Sequence, residues 1–275
     1  MPDRIALIAG SGVLPAHLAA AARAAGYEVT VAAIDGTELA GLAVDEPFRV
    51  ERLALFLDRL HELGVSSVIF AGGMQRPRLD PALFDPATAQ MVPRLVGAMQ
   101  AGDDATLREV IAIFEDAGFR VIGSEALDPD LVPGPGVLSA AQPSKADAGD
   151  ATRAAAIVAA LGAADVGQGA VVAQGLCLAV EALPGTDAML DWVADVAGEL
   201  RPDPKGAKGV FYKAPKPGQE RRVDLPALGP QTVRKAEAAG LAGIAWEAGG
   251  VMLLDRAQMI AEADRLGLFL WAREP

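Results

Sequence analysis

Hydrophobic and polar positions follow two alternating rhythms along the first half of the chain. Short aliphatic runs at residues 5–9, 29–34 and 67–70 have the length of buried strands, and between them apolar residues recur at helical spacing over 15–25 and 52–63. Gly26 and Gly64 follow those helical segments, where a C-terminus favours a residue tolerant of positive φ. A further helix is expected from Gly102-Asp103-Asp104, capped by one of the aspartates, to residue 117, with Gly118 ending it and a strand at 119–122. This order predicts a parallel sheet with helices on its faces, a Rossmann-like α/β domain over residues 1–126.

The rhythm breaks over residues 127–145, where Pro129, Pro133, Gly134, Pro135, Gly136 and Pro143 exclude regular helix or a central strand. This stretch reads as a linker. Residues 146–275 then predict a second, smaller, mixed α/β unit. Its expected elements are a helix at 147–161, a hairpin at 170–182 turning near Gln174-Gly175, a helix at 188–200, and strands at 206–212, 242–246 and 251–254. A cleft between two such domains is the expected ligand site.

Composition narrows the picture. Hydrophobic residues make up 52% and charged residues 22% of the 275, which excludes a disordered chain. With 24 Lys and Arg against 36 Asp and Glu, the net charge of −12 repels a polyphosphate backbone, so nucleic acid is not an expected partner. The single Cys177 sits in an apolar run and reads as a buried small hydrophobe, compatible with a reducing cytoplasm. No export signal is read at the start, and the longest uncharged apolar run, residues 154–164, falls short of the ~18 residues of a spanning helix. A cytoplasmic protein with at most peripheral membrane contact is expected.

Candidate chemistry falls in loops. Gly10-Ser11-Gly12, ahead of Leu14-Pro15, joins a strand to a helix, where small residues let backbone N–H groups approach a phosphate; a tight βα turn is the alternative. The third glycine of the dinucleotide fingerprint is missing, which counts against a nicotinamide-dependent oxidoreductase. Gly72-Gly73, followed by Met74-Gln75-Arg76-Pro77, lies after another strand, where open α/β sheets bind ligands, and Arg76 could face a phosphate or solvent. Gly185-Thr186-Asp187 sets a small residue, a hydroxyl and a carboxylate between a strand and a helix, with Thr186 or Asp187 as the expected cap.

The densest polar segment is residues 213–226, carrying Lys213, Lys216, Arg221 and Arg222 as cations, Gln219 as an amide and Asp224 as an acid. Phosphoryl chemistry needs cations to neutralise charge on non-bridging oxygens and a carboxylate to hold Mg²⁺ or orient water. Asp224 lies between Val223 and Leu225, directly before Pro226, a setting in which an unpaired buried carboxylate is costly. His17 and His61 fall on helices away from any nucleophile, and one cysteine excludes a thiolate zinc site.

Taken in order, Ile8-Ala9-Gly10-Ser11-Gly12, Gly102-Asp103-Asp104, Asp165-Val166-Gly167-Gln168, Glu181 with Gly185-Thr186-Asp187, and Lys213-Ala214-Pro215-Lys216-Pro217 through Gln219, Arg222, Asp224, Pro226 and Gly229 resemble the LpxI-type UDP-2,3-diacylglucosamine pyrophosphatases over nearly the whole chain. Glu220, where the family usually has Asp, and Met74-Gln75, in place of a more basic pair, depart from its pattern. The resemblance implies a two-domain enzyme of lipid A biosynthesis that uses Mg²⁺ or another divalent cation such as Mn²⁺. It implies hydrolysis of the substrate to UMP and 2,3-diacylglucosamine 1-phosphate (lipid X), with water attacking the sugar-side phosphorus.

Carried onto this sequence, the resemblance gives Asp224, Lys213 and Gln219 as catalytic residues and Asp224 with Asp187 as metal ligands. Substrate binding falls to Gly10, Ser11, Gly12, Leu14, Gly72, Gly73, Gln168, Thr186, Lys216 and Arg222. Peripheral contact with the inner membrane and a homodimer are compatible partners. The reading from a different class is a non-catalytic nucleotide or nucleotide-sugar sensor, which the glycine turn supports equally; release of UMP separates the two.

Overall fold

The computed structural model describes residues 3–74, 79–100, 102–197 and 200–275. Gln75, which departs from the family's pattern, and Arg76, which could face a phosphate or solvent, lie outside the described residues. The chain divides into two compact units, Met1–Pro129 and Asp130–Pro275.

The first unit contains strands β1 (Arg4–Ala9), β2 (Glu28–Ile34), β3 (Glu46–Phe48), β4 (Ser67–Ala71) and β5 (Arg120–Val121), with helices α1 (Leu14–Ala24), α2 (Leu53–Glu62), α3 (Pro86–Gln100) and α4 (Asp103–Asp116). The strands form a wholly parallel sheet in the order β3-β2-β1-β4-β5. The continuous apolar runs of β1 and β4 follow from this arrangement, because central parallel strands are covered on both faces. After β1 the chain proceeds to one side of the sheet and after β2 and β3 it returns to the other, so the strand order reverses between β1 and β4.

Helix α3 was not expected from sequence. Its apolar stripe is sparse, with only Thr88 and Leu95 buried, and Pro93 interrupts its interior. The signal it does carry is at the start. Asp85 accepts hydrogen bonds from the N–H groups of Ala87 at 2.9 Å and Thr88 at 3.0 Å, and Pro86 takes the first helical position. Helix α4 corrects the expected aspartate cap. Gly102 occupies the N-cap, and Asp104 pairs with Arg108 one turn on, at 2.6 Å.

The second unit contains β6 (Gly136–Val137), α5 (Lys145–Ala163), β7 (Gly169–Ala173), β8 (Leu176–Val180), α6 (Gly185–Trp192), β9 (Val210–Lys213), β10 (Ala227–Leu228), α7 (Pro230–Ala238), β11 (Gly243–Glu247), β12 (Met252–Leu253), α8 (Arg256–Leu266) and β13 (Phe269–Arg273). Its six-stranded mixed sheet runs β6-β13-β11-β9-β7-β8, and β10 pairs with β12 in a separate parallel ladder. Strands β9, β11 and β13 are mutually parallel; β7 is antiparallel to both β9 and β8, so β8 runs in the direction of β9. Gln174 and Gly175, both at positive φ, make the two-residue turn between β7 and β8.

Residues 130–145 do not form a free linker. Gly136 and Val137 pair antiparallel with Ala272 and Trp271, and the stretch folds with the second unit, which is therefore the longer of the two. β6, directly after Pro135, is an edge strand of the sheet. Alternate residues of the central strands face two cores. Ala151, Ala154 and Val158 of α5 cover one face with Val210 and Tyr212; Met189, Leu190, Val233 and Met259 from α6, α7 and α8 cover the other with Phe211 and Trp246. Cys177 is exposed rather than buried, because β8 is the edge strand and turns Leu176, Cys177 and Val180 outward while Leu178 enters the core. Among the described residues no helix is long and apolar enough to cross a membrane.

Candidate active site

The polar residues of the second unit gather at one edge of its sheet. The carboxyl ends of β8, β9 and β11 emerge there beside the start of β7, since Lys213 lies opposite Gly169 and Trp246 in register. Open α/β sheets bind ligands at such an edge.

Lys213 is the last residue of β9. The preceding Val210, Phe211 and Tyr212 are buried on both faces, and the alternation that sends Phe211 toward α6 sends Lys213 the same way. Only 6% of Lys213 is exposed, and its Nζ donates to Thr186 Oγ1 at 2.5 Å. Glu181, just past β8, brings Oε2 to 3.5 Å from the same ammonium. Burial holds the Lys213 pKa below the ordinary lysine value, opposed by the negative charges of Glu181 and Asp187.

Thr186 does not cap its helix. Pro184 holds the N-cap position and Gly185, at φ +86°, makes the turn, so Thr186 and Asp187 both lie inside the first turn of α6. The hydroxyl is then available to Lys213. Asp187 is exposed and accepts from Gln231 Nε2 at 3.3 Å.

A second chain of hydrogen bonds runs through the loop after β9. Gln219 is 9% exposed; its Oε1 accepts from Gln168 Nε2 at 2.6 Å and from the Lys216 N–H at 2.8 Å, and its Nε2 donates to Asp224 Oδ2 at 2.5 Å. The Ala214 N–H, next to Lys213, donates to the Gln168 carbonyl at 3.0 Å, which joins the two chains through the backbone. Asp224 is exposed, so the burial cost expected from its apolar neighbours does not arise; Gln219 fixes one carboxylate oxygen.

Two of the expected cations are engaged elsewhere. Lys216 Nζ pairs with Asp165 Oδ1 at 2.6 Å, and Arg222 pairs with Glu220 at 2.9 Å. Glu220, the position that departs from the usual residue, is thus the anchor of Arg222. Arg221 reaches Glu247 at the end of β11, at 2.6 Å. Pairing of this kind could not be read from a run of charges.

In the first unit, Gly10, Ser11, Gly72 and Gly73 come together at the reversal between β1 and β4. The N–H of Ser11 donates to the Gly73 carbonyl and that of Gly73 to the Ser11 carbonyl, each at 2.9 Å, and the Gly10 N–H donates to Ala71 at 2.7 Å. These donors are therefore spent within the protein. A Cβ on Gly10 would sit 2.4 Å from the Gly73 carbonyl oxygen, and one on Gly72 would sit 2.5 Å from that of Ser11, so the glycines permit the two loops to approach each other. Gly12, at φ +100°, faces open space before α1, whereas Leu14 is buried.

Asp224 and Asp187 are the expected ligands of a divalent cation. No group of three or more His, Cys, Asp or Glu side chains suited to a metal occurs among the described residues. Two exposed carboxylates still match the donor set of Mg²⁺, which typically takes one or two protein carboxylates and completes its shell with water and substrate phosphate.

Models of the LpxI N-terminal and C-terminal domains match residues 4–131 and 134–271. The chain belongs to the LpxI family. One curated LpxI relative, the UDP-2,3-diacylglucosamine pyrophosphatase LpxI of Caulobacter vibrioides, is 38% identical over 276 residues, covering 99% of this chain and 98% of its own. A solved structure, CobK precorrin-6A reductase, covers 99% of this chain and 90% of its own at 17% identity with a TM-score of 0.33, a likeness too weak to bear on this LpxI chain.

Proposed function

We propose that this chain hydrolyses UDP-2,3-diacylglucosamine to UMP and 2,3-diacylglucosamine 1-phosphate, a step of lipid A biosynthesis. The observation that carries the reading is the convergence of Lys213, Thr186, Gln219 and Asp224 at one sheet edge, in a chain 38% identical to a pyrophosphatase of that name. Lys213 places a buried positive charge where a diphosphate's non-bridging oxygens need neutralising, and Thr186 positions the same group. Gln219 orients Asp224, whose carboxylate holds the cation or orients the attacking water. A divalent cation such as Mg²⁺ or Mn²⁺, held by Asp224 and Asp187, would neutralise further charge on the diphosphate.

Water attacks the sugar-side phosphorus; its oxygen bonds to that phosphorus, the bond to the bridging oxygen breaks, and UMP leaves. Gln168, with Lys216 and Arg222, makes up the wider substrate-binding set of the second unit; in the first unit the Gly10, Ser11 and Gly73 N–H donors are already bonded within the protein and Leu14 is buried. Lys216 and Arg222 would have to exchange their present carboxylate partners for phosphate to serve there.

The test is to incubate the pure protein with UDP-2,3-diacylglucosamine and Mg²⁺ in H₂¹⁸O and to analyse both products. UMP should accumulate, the label should appear in 2,3-diacylglucosamine 1-phosphate, and excess EDTA should stop turnover until Mg²⁺ or Mn²⁺ is restored. Absence of UMP would overturn the activity, label in UMP would overturn the site of attack, and EDTA resistance would overturn the metal dependence.

A further inference from the structure

Glu181 lies just beyond β8, beside Lys213, and outside the set of residues proposed to meet substrate. Its carboxylate is unusually confined. A Cβ on Gly169 would fall 2.6 Å from Glu181 Oε2, and one on Gly167 would fall 2.0 Å from the Glu181 carbonyl oxygen. Gly167 therefore leaves room for the Glu181 backbone, and Gly169 for the Glu181 carboxylate and the Phe211 ring. The Glu181 N–H donates to the Gly169 carbonyl at 2.8 Å, which fixes the backbone.

The side chain is only 12% exposed, and Oε2 has no hydrogen-bond partner among the described residues. A buried carboxylate oxygen in that state is costly unless a charge compensates it. The compensating group is the Lys213 ammonium, 3.5 Å away. That separation is longer than a charge-assisted hydrogen bond, so the pair acts mainly through its charges.

We propose that Glu181 is a positioning residue, its backbone seated against Gly167 and its carboxylate against Gly169, so that it holds the Lys213 ammonium against Thr186 for the diphosphate. The inference rests on the function proposed above, because it supposes that Lys213 meets substrate. Burial by itself favours a neutral amine at Lys213, and a neutral amine cannot compensate phosphate charge. The charged groups facing it are Glu181 from the end of β8 and Asp187 from α6, and both favour the ammonium. Removing Glu181's charge leaves burial opposed by Asp187 alone.

Glu181→Gln keeps the shape and removes the charge. In that variant the alkaline limb of kcat/KM for UDP-2,3-diacylglucosamine should move to lower pH by roughly one unit or more, as expected for loss of an opposite charge at this range. On the acid side of that limb, where Lys213 is protonated in both proteins, the rates should converge. Glu181→Asp, which keeps the charge at shorter reach, should restore much of the shift. A merely structural role would instead lower the rate at every pH.

A readout independent of turnover is the pH dependence of acetic anhydride labelling at Lys213, followed by peptide mass spectrometry. Labelling should begin at lower pH in Glu181→Gln than in the natural protein, with Glu181→Asp in between. An unchanged labelling curve in the folded Gln and Asp variants overturns the proposal. A shifted labelling curve in a protein that releases no UMP instead overturns the pyrophosphatase reading and leaves the Glu181–Lys213 coupling standing.

Discussion

Asp224 was singled out by its neighbours, Val223, Leu225 and Pro226, which suggested a carboxylate under desolvation strain. The folded chain relieves that strain by exposing the side chain and tying it to Gln219. An exposed carboxylate contributes little to stability, so its value must lie in what it presents outward. Asp224→Ala is accordingly expected to lower turnover by roughly 10²-fold or more while the thermal midpoint stays within a degree or two of the natural protein, as loss of a general base or metal ligand would require. A parallel fall in both quantities would reassign Asp224 to the fold. Cys177 teaches the converse: hydropathy ranks it as core, but an edge strand has a side with no partner, and only the sheet order reveals which strand is the edge.

Among the elements, the long and strongly patterned ones were legible. The runs that became β1, β2 and β4, the first two helices with Gly26 and Gly64 after them, and the β7–β8 hairpin at Gln174-Gly175 all announce themselves by periodicity and turn chemistry. Helices α3, α7 and α8 and strand β13 did not: Pro93 interrupts α3, α7 is only 9 residues long, and β13 is only 5.

The small residues after β1 suit either phosphate approach or a tight βα turn, and their tightest contacts are with the loop after β4. Gly10→Ala should therefore destabilise the first unit by about 1–3 kcal/mol in denaturant unfolding, because the added methyl meets a backbone oxygen that cannot swing aside. Gly97→Ala on the exposed side of α3 meets nothing within 4 Å and should stabilise by up to about 1 kcal/mol. Equal effects of the two substitutions would refute the role given to loop approach.

At the scale of the whole molecule, the chain carries two units, each with its own sheet. The second unit buries Trp246, Phe211 and Phe269 between helices supplied entirely by residues 130–275, and a fragment of those residues should melt cooperatively with near-ultraviolet dichroism from its fixed aromatics. Non-cooperative melting would show that its core needs the first unit. A boundary placed after residue 145 would remove β6 and leave the edge of β13 unpaired, so a fragment starting there should be the less stable of the two.

What the sequence determined by itself was whatever depends on near neighbours: strand and helix periods, caps and turns, the overall charge, and the motif order that resembles the LpxI family. Tertiary structure alone decided which polar and charged groups meet. Lys213 with Thr186 and Glu181, Gln168 with Gln219, Lys216 with Asp165 and Arg221 with Glu247 are joined by strand register and sheet order, and are separated along the chain by 26 residues or more. Electrostatic interaction falls with distance in space and with exposure to water, and neither quantity is carried by spacing along the chain.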